Sequence, residues 1–363
     1  MVCRQSRPRR QRAPQVRQLT PDDHIRKPVN VVAGVLCLVV IAAAVLLILH
    51  HAPARRRHTS RAPALAALPF ARTSVWNARL GANAPLSSDS RTYVDDLLGQ
   101  VSHYGTWINT TSYSVPVYVV PRGEHRVPVR LDISGPGSVS ELAATFHAGV
   151  PIPTGAIPAR GSDASMVIWQ PSRNTLWELW KSADSTGGWH ARWGGKMSDV
   201  SSNPGYFTTP SDWGGSATSL SLLGGLITPR DLRAGAINHT LALSIPHAEA
   251  KQFVFPAQRT DGNDTSSTQI PEGTRFRLRP SLDISSLHLP LLTAMIARAA
   301  QRYGMIVRDQ SGDVVLYAED PSSIGHDPWN GVHGAFRGMS PAQLLRNFPW
   351  RDLEAVSPAV SRP

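Results

Sequence analysis

Hydrophobic and polar positions alternate with period two in many short runs along this chain, and few stretches carry the period of a helix. Residues 113–120 set Tyr113, Val115, Val117 and Val119 on one side, and residues 125–133 do the same with Val127, Val129, Leu131 and Ile133. With Pro121, Arg122 and Gly123 between them, the two runs predict a β-hairpin. Further strands are predicted at 166–169, 176–180, 189–193, 240–245, 253–255, 275–278, 305–308 and 314–317, separated by Pro, Gly, Asn and Asp. Many short strands with such punctuation predict a mainly β domain, a β-sandwich or jelly roll, with a few short helices against an edge or end of the sheets.

The helices are announced by their ends. Ser138 followed by Glu141 reads as a capping box opening a helix to about residue 146. Pro290 and Gly304 bracket a helix over 291–303, since proline is tolerated in a first turn and glycine favours the position past the last. Ser88 is the expected cap of a helix that buries Val94, Leu97, Leu98 and Val101. Thr228–Pro229 and Ser340–Pro341 start one or two turns each.

Residues 31–49 are 19 positions without a charged or strongly polar side chain, which as a helix extend roughly 28 Å, close to the thickness of a bilayer's hydrocarbon. They predict one transmembrane helix. A cleaved signal peptide is the competing reading, with Ala52–Pro53–Ala54 as its cleavage site, but its apolar core is ordinarily about 7 to 15 residues long. Eight Lys or Arg precede the span and four follow it, which favours a cytoplasmic N-terminus. The expected organisation is a basic tail over 1–30, the span over 31–49, an Ala/Pro/Arg-rich stalk over 50–69 and an extracytoplasmic β-rich domain over 70–363. The lipid bilayer is thus one expected partner, through residues 31–49.

Charge changes the picture little beyond this. The net charge is +11, but residues 1–61 hold 12 Lys or Arg and 2 Asp or Glu, leaving 25 basic against 24 acidic residues in the body. A nearly neutral body argues against nucleic acid as a partner. Both cysteines, Cys3 and Cys37, precede the body, so it has no disulfide, as fits a bacterial exported domain.

One set of motifs is familiar. Residues 161–166 (GSDASM), 176–180 (LWELW), 217–227 (ATSLSLLGGLI), 235–239 (GAINH), 271–276 (PEGTRF) and 302–307 (RYGMIV) together resemble a family of secreted or membrane-anchored actinobacterial proteins. The resemblance covers roughly residues 74–319 and implies an extracytoplasmic setting. It brings no activity, cofactor or catalytic residue, and Asn238–His239–Thr240 departs from the family's His-Ala-Leu.

For chemistry, Trp169, Trp177, Trp180, Trp189 and Trp193 fall within 25 residues, half of the chain's ten tryptophans. Such rings either fill a core or grip sugar rings. Trp177 and Trp180 have opposite strand parity, so at least one is expected inside. Asp163 and Glu178 are the obvious carboxylate pair for glycoside hydrolysis, which needs about 5 to 9.5 Å between the two groups. If Trp169 pairs with Leu176, Val167 faces Glu178 and Asp163 lies four residues further on, roughly 13 Å away at 3.3 Å per residue. Unless the chain folds back, the pair is too far apart. Asp163 making a turn or capping bond and Glu178 pairing with Arg192 or His190 are the plainer assignments.

His239 is expected at a strand start, near Asp261 or Asp309. Residues 261–272 begin with Asp261 and reach Glu272 at position 12, as a calcium loop does. The sharp-turn position is Ser266 instead of Gly, and Pro256 and Pro271 flank the segment, so it reads as a polar surface loop, with an irregular oxygen-lined calcium site as the alternative. There is no His-Glu-x-x-His, no phosphate loop and no Gly-x-Ser-x-Gly elbow, which removes the best support for zinc-protease, nucleotide-hydrolase and α/β-hydrolase readings. No metal and no cofactor are assigned.

The expectation is a membrane-anchored extracytoplasmic protein that binds or processes a cell-envelope or environmental polysaccharide. Its candidate catalytic residues are Asp163, Glu178, His239 and Asp309; Trp177, Trp180 and Trp193 are the candidates for stacking on sugar. If it is an enzyme, it is a glycoside hydrolase or another polysaccharide-active enzyme. The alternative is a non-catalytic envelope scaffold whose tryptophans are internal.

Overall fold

The computed structural model describes residues 68–361, Ser267 excepted. The basic tail, the 31–49 segment and the stalk as far as residue 67 lie outside the described residues. Among those described, no helix is long and apolar enough to cross a membrane.

The first eight strands along the described chain are β1 Thr106–Asn109, β2 Val117–Val119, β3 Arg130–Leu131, β4 Met166–Gln170, β5 Thr175–Trp180, β6 Ala183–Ser185, β7 Gly188–Ala191 and β8 Trp193–Met197. Then follow β9 Leu241–Ile245, β10 Arg275–Leu278, β11 Met305–Gln310, β12 Val314–Tyr317 and β13 Leu353–Val356. The α-helices are α1 Ser90–Tyr104, α2 Ser138–His147, α3 Pro229–Ala234, α4 Leu291–Arg302 and α5 Pro341–Leu345.

Six strands make one sheet in the order β1-β12-β9-β11-β10-β13, four make a second in the order β2-β4-β5-β8, and β3-β7-β6 form a small third. Along β9, Leu241, Leu243 and Ile245 join Met305, Val307, Val314 and Leu316 in one core, together with the buried sides of α1, α4 and α5. Ala242, Ile306, Val315 and Tyr317, of opposite parity, join a second core with Val117, Val119, Ile168, Trp177 and other residues of the four-stranded sheet. The six-stranded sheet is therefore covered on both faces. That is why its central strands are apolar almost throughout, as strands buried on two sides are.

The mainly β expectation holds only in part. Strand and helix make up 24% and 23% of the described residues, and the sheets are mixed: β1 with β12, β9 with β11, β2 with β4 and β3 with β7 run parallel. The predicted hairpin is the clearest case. Residues 117–119 and 130–131 do not pair with each other. They lie parallel to β4 and β7 instead, and Tyr118 is buried beside Val117 and Val119, so the apparent alternation does not mark a one-sided strand.

The helix ends divide in the same way. Thr228 and Ser340 form capping boxes with Asp231 and Gln343 at α3 and α5, each with proline in the first turn. Pro290 precedes α4, and Gly304 after it has φ +85°, where an added Cβ would lie 2.7 Å from the Phe276 carbonyl oxygen. At α2, however, the helix already includes Ser138, and its hydroxyl donates to Asp212 at 2.5 Å instead of capping. Ser88 likewise donates to Asp89 and caps nothing, although Val94 and Leu97 are buried as expected.

Candidate functional site

The expected register of β4 and β5 is the observed one: Trp169 pairs with Leu176 and Val167 with Glu178. Adjacent β8 then sets Gly195 opposite Glu178 and Trp193 opposite Trp180. Residues directly opposite share a sheet face, so Glu178, Trp180 and Trp193 project to the same side. Trp177, of the other parity, is wholly buried in the core. It packs beneath the Arg126 guanidinium, 5.1 Å from the ring. Trp177 is thus a core residue and does not meet a ligand.

Glu178 is also withdrawn from any substrate. It is fully buried, and its oxygens accept from Ser221 Oγ at 2.6 Å, Leu222 N at 2.8 Å and Gly215 N at 2.9 Å. These donors belong to a glycine-rich loop lodged between the two large sheets. The loop fits closely: a Cβ on Gly215 would lie 2.3 Å from Leu222 Cδ1. From the opposite sheet Arg308, also buried, donates to the carbonyls of Leu222 at 3.0 Å and Gly224 at 3.1 Å. Burial pushes the Glu178 carboxyl up, and the three hydrogen bonds and Arg308 offset this only in part. Neither Arg192 nor His190 is its partner; His190 bonds Asp132 at 2.7 Å. Glu178 is a structural clamp.

What stays accessible on that side is the Trp180–Trp193 pair. Both rings are half-buried. Trp180 donates its indole N–H to Asp163 Oδ1 at 3.3 Å, and Trp193 donates to the Asp212 carbonyl at 3.0 Å. The Lys181 ammonium stands 4.5 Å from the Trp180 ring. Asp163 is half-buried, and its negative charge acts on Asp309 and Tyr317 of the six-stranded sheet. Asp212 likewise acts on Arg259, which is also under the influence of Asp309, Asp261 and Glu272. The tryptophan pair and a group of carboxylates from both sheets therefore belong to one electrostatic neighbourhood.

Asp309 reaches this neighbourhood through a β-bulge. Val307 pairs with Leu243, but Asp309, not Arg308, pairs with Ser244, so the strand carries one extra residue. A bulge re-aims side chains. Ser244 bonds Tyr317 at 2.7 Å, on the side of the four-stranded sheet. Arg308 also lies there, its guanidinium 4.3 Å from the Tyr317 ring. Consecutive charged residues thus serve the same side, which regular alternation would forbid.

Beside Asp309 stand Asp261 and Glu272, with one carboxylate oxygen of each within 4.8 Å of the others. The segment read as a surface loop brings its two ends together: Asp261 N donates to Glu272 Oε2 at 3.2 Å. Asp261 is exposed and Asp309 half-buried, but Glu272 is wholly buried, and its Oε1 has no hydrogen-bond partner. Burial first, then the charges of Asp309 and Asp261, push Glu272 up to about 9. Burial and Asp261 push Asp309 up to about 7 against the opposing pull of Arg308. Such an all-oxygen group is suited to a hard cation.

Of the sequence-derived candidates, Asp163 is bonded to Trp180, Trp180 lies opposite Trp193, and the charge of Asp163 acts on Asp309. His239 stands apart. It is buried, bonded to the Thr240 carbonyl at 2.8 Å and to Asp231 at 3.4 Å, and it secures the start of α3. Glu272, Asp212 and Arg259 were not selected from the sequence. The position-12 spacing from Asp261 was the visible signal for Glu272.

Comparison of the chain with protein-family models, with curated proteins and with solved structures finds no match.

Proposed function

We propose that this protein is anchored in a membrane by residues 31–49 and presents a body that binds a cell-envelope or environmental polysaccharide outside the cell. The observation that carries the reading is the cross-strand pair of half-exposed rings, Trp180 and Trp193, bordered by Asp163 and Asp212. Aromatic faces bury the apolar side of a sugar ring, and carboxylates accept from its hydroxyls. Pairing on adjacent strands holds two rings in fixed relation, which lowers the cost of ordering them on binding.

Binding is favoured over hydrolysis. Glu178, the partner that a carboxylate mechanism would have used with Asp163, is enclosed with its oxygens taken up by the glycine-rich loop. The actinobacterial resemblance supports the setting and leaves the ligand to the geometry.

The test is a fluorescence titration of the full chain with fractionated envelope polysaccharides. A saturable emission shift is expected, and it should be absent from the Trp180→Ala/Trp193→Ala double variant. Emission that no glycan fraction alters would favour the scaffold alternative.

A further inference from the structure

The carboxylates of Asp261, Glu272 and Asp309 are drawn together from a loop, the approach to β10 and the bulge of β11. One carboxylate oxygen from each lies within 4.8 Å of the others, so the three side chains converge on one point. Two cations act on the group, and both donate their hydrogen bonds elsewhere: Arg259 to Ser219 Oγ at 2.8 Å and to the carbonyls of Ser216 at 2.7 Å and Gly214 at 3.3 Å, and Arg308 to the carbonyls of Leu222 and Gly224.

A second observation is independent of the clustering. Glu272 is completely enclosed, and its Oε1 receives no hydrogen bond. Buried carboxylate oxygens are almost always satisfied, so this one marks a missing positive partner. Gln310 Nε2 donates to the Asp261 carbonyl at 2.7 Å and to its carboxylate at 3.3 Å, while Gln310 Oε1 is enclosed and also unpartnered.

We propose that Asp261, Glu272 and Asp309 bind a divalent cation, calcium in the first instance. The donor set is oxygen throughout, without His or Cys, which selects hard cations over zinc or copper. Calcium tolerates irregular arrangements of six to eight oxygens, whereas magnesium demands a near-ideal octahedron. Exposed Asp261 and half-buried Asp309 leave an outer side on which water completes the shell. This site does not depend on the glycan reading, since it is assayed without glycan.

The full chain, stripped with chelator, is titrated separately with calcium, magnesium, manganese and zinc chlorides by calorimetry, with terbium luminescence as a second readout. One calcium per chain is expected, with a dissociation constant of roughly 10⁻⁶ to 10⁻³ M. Glu272→Gln and Asp261→Asn should each weaken it by about tenfold or more. Asp261→Asn alters an exposed residue and keeps the test sound if the buried variant does not fold. Absence of saturable calcium, magnesium or manganese binding up to about 10 mM, well above that range, would overturn the proposal. So would a preference for zinc, or calcium binding unchanged in Asp261→Asn.

Discussion

Ser221 Oγ lies 2.6 Å from Glu178 Oε1, so a hydroxyl of the glycine-rich loop is fixed to the middle of β5. Across the loop, Arg308 of β11 holds the carbonyls of Leu222 and Gly224. An acid from one sheet and a base from the other thus secure a segment that neither sheet could hold alone. An enclosed carboxyl group is tolerated only when hydrogen bonds replace its water.

Glu178→Ala should therefore be costly. It frees the loop and leaves Ser221 Oγ, Leu222 N and Gly215 N without their acceptor, and with about 1–3 kcal/mol for each buried group left unsatisfied a loss of about 3–5 kcal/mol is expected. Urea denaturation at neutral pH measures it. A loss under about 1 kcal/mol, the level of an exposed ion pair, would show that Glu178 is not a clamp.

The tryptophans should separate into two classes. Trp177→Ala removes a wholly buried ring and should cost about 3–5 kcal/mol of stability. Trp180→Ala or Trp193→Ala should cost less stability but weaken glycan binding by about 2 kcal/mol, close to 30-fold. Parallel denaturation and binding curves for the three variants distinguish these outcomes.

Stability should fall as pH rises from about 5 to 8, and Glu319 is the residue to examine. Burial pushes its carboxyl up to about 8; Asp231 and Asp320 add to this, while Ser323 and Arg233 oppose it. With the folded pKa above the unfolded one, the folded state holds a proton that the unfolded chain has lost. The contribution is complete below the unfolded pKa near 4.5 and disappears as pH passes through about 8. Glu319→Gln should remove a slope of about 1.4 kcal/mol per pH unit in that window. Denaturation midpoints at three pH values check it, and an unchanged slope would contradict it.

The proposed membrane anchor predicts that protease added to intact cells digests the body and spares the short basic tail. Digestion of the tail with the body protected would reverse the orientation.

Where local chemistry decides structure, the chain was readable. The turn between β4 and β5, with apolar runs on both sides, dictated the Trp169–Leu176 register, and a Thr or Ser cap followed by proline located α3 and α5. What could not be read depends on distant partners. Ser138 abandons its cap for Asp212, 74 positions away, and β2 pairs with β4 across an intervening helix. The same holds for the site. Asp163, Trp180, Trp193 and Asp309 could be selected by type, but Glu178 could be recognised as a clamp only once Arg308 and the loop were seen around it. Nor did sequence reveal the bulge that sets Asp309 beside Asp261 and Glu272, because an extra residue in a strand has no signature apart from the register of its neighbour.

The most direct test of the central claim is a glycan array probed with the full chain and with the Trp180→Ala/Trp193→Ala double variant, both checked for native stability. The account predicts that the wild type retains a defined class of polysaccharide and that the double variant does not. Equal retention by the two, or none by the folded wild type, would contradict it.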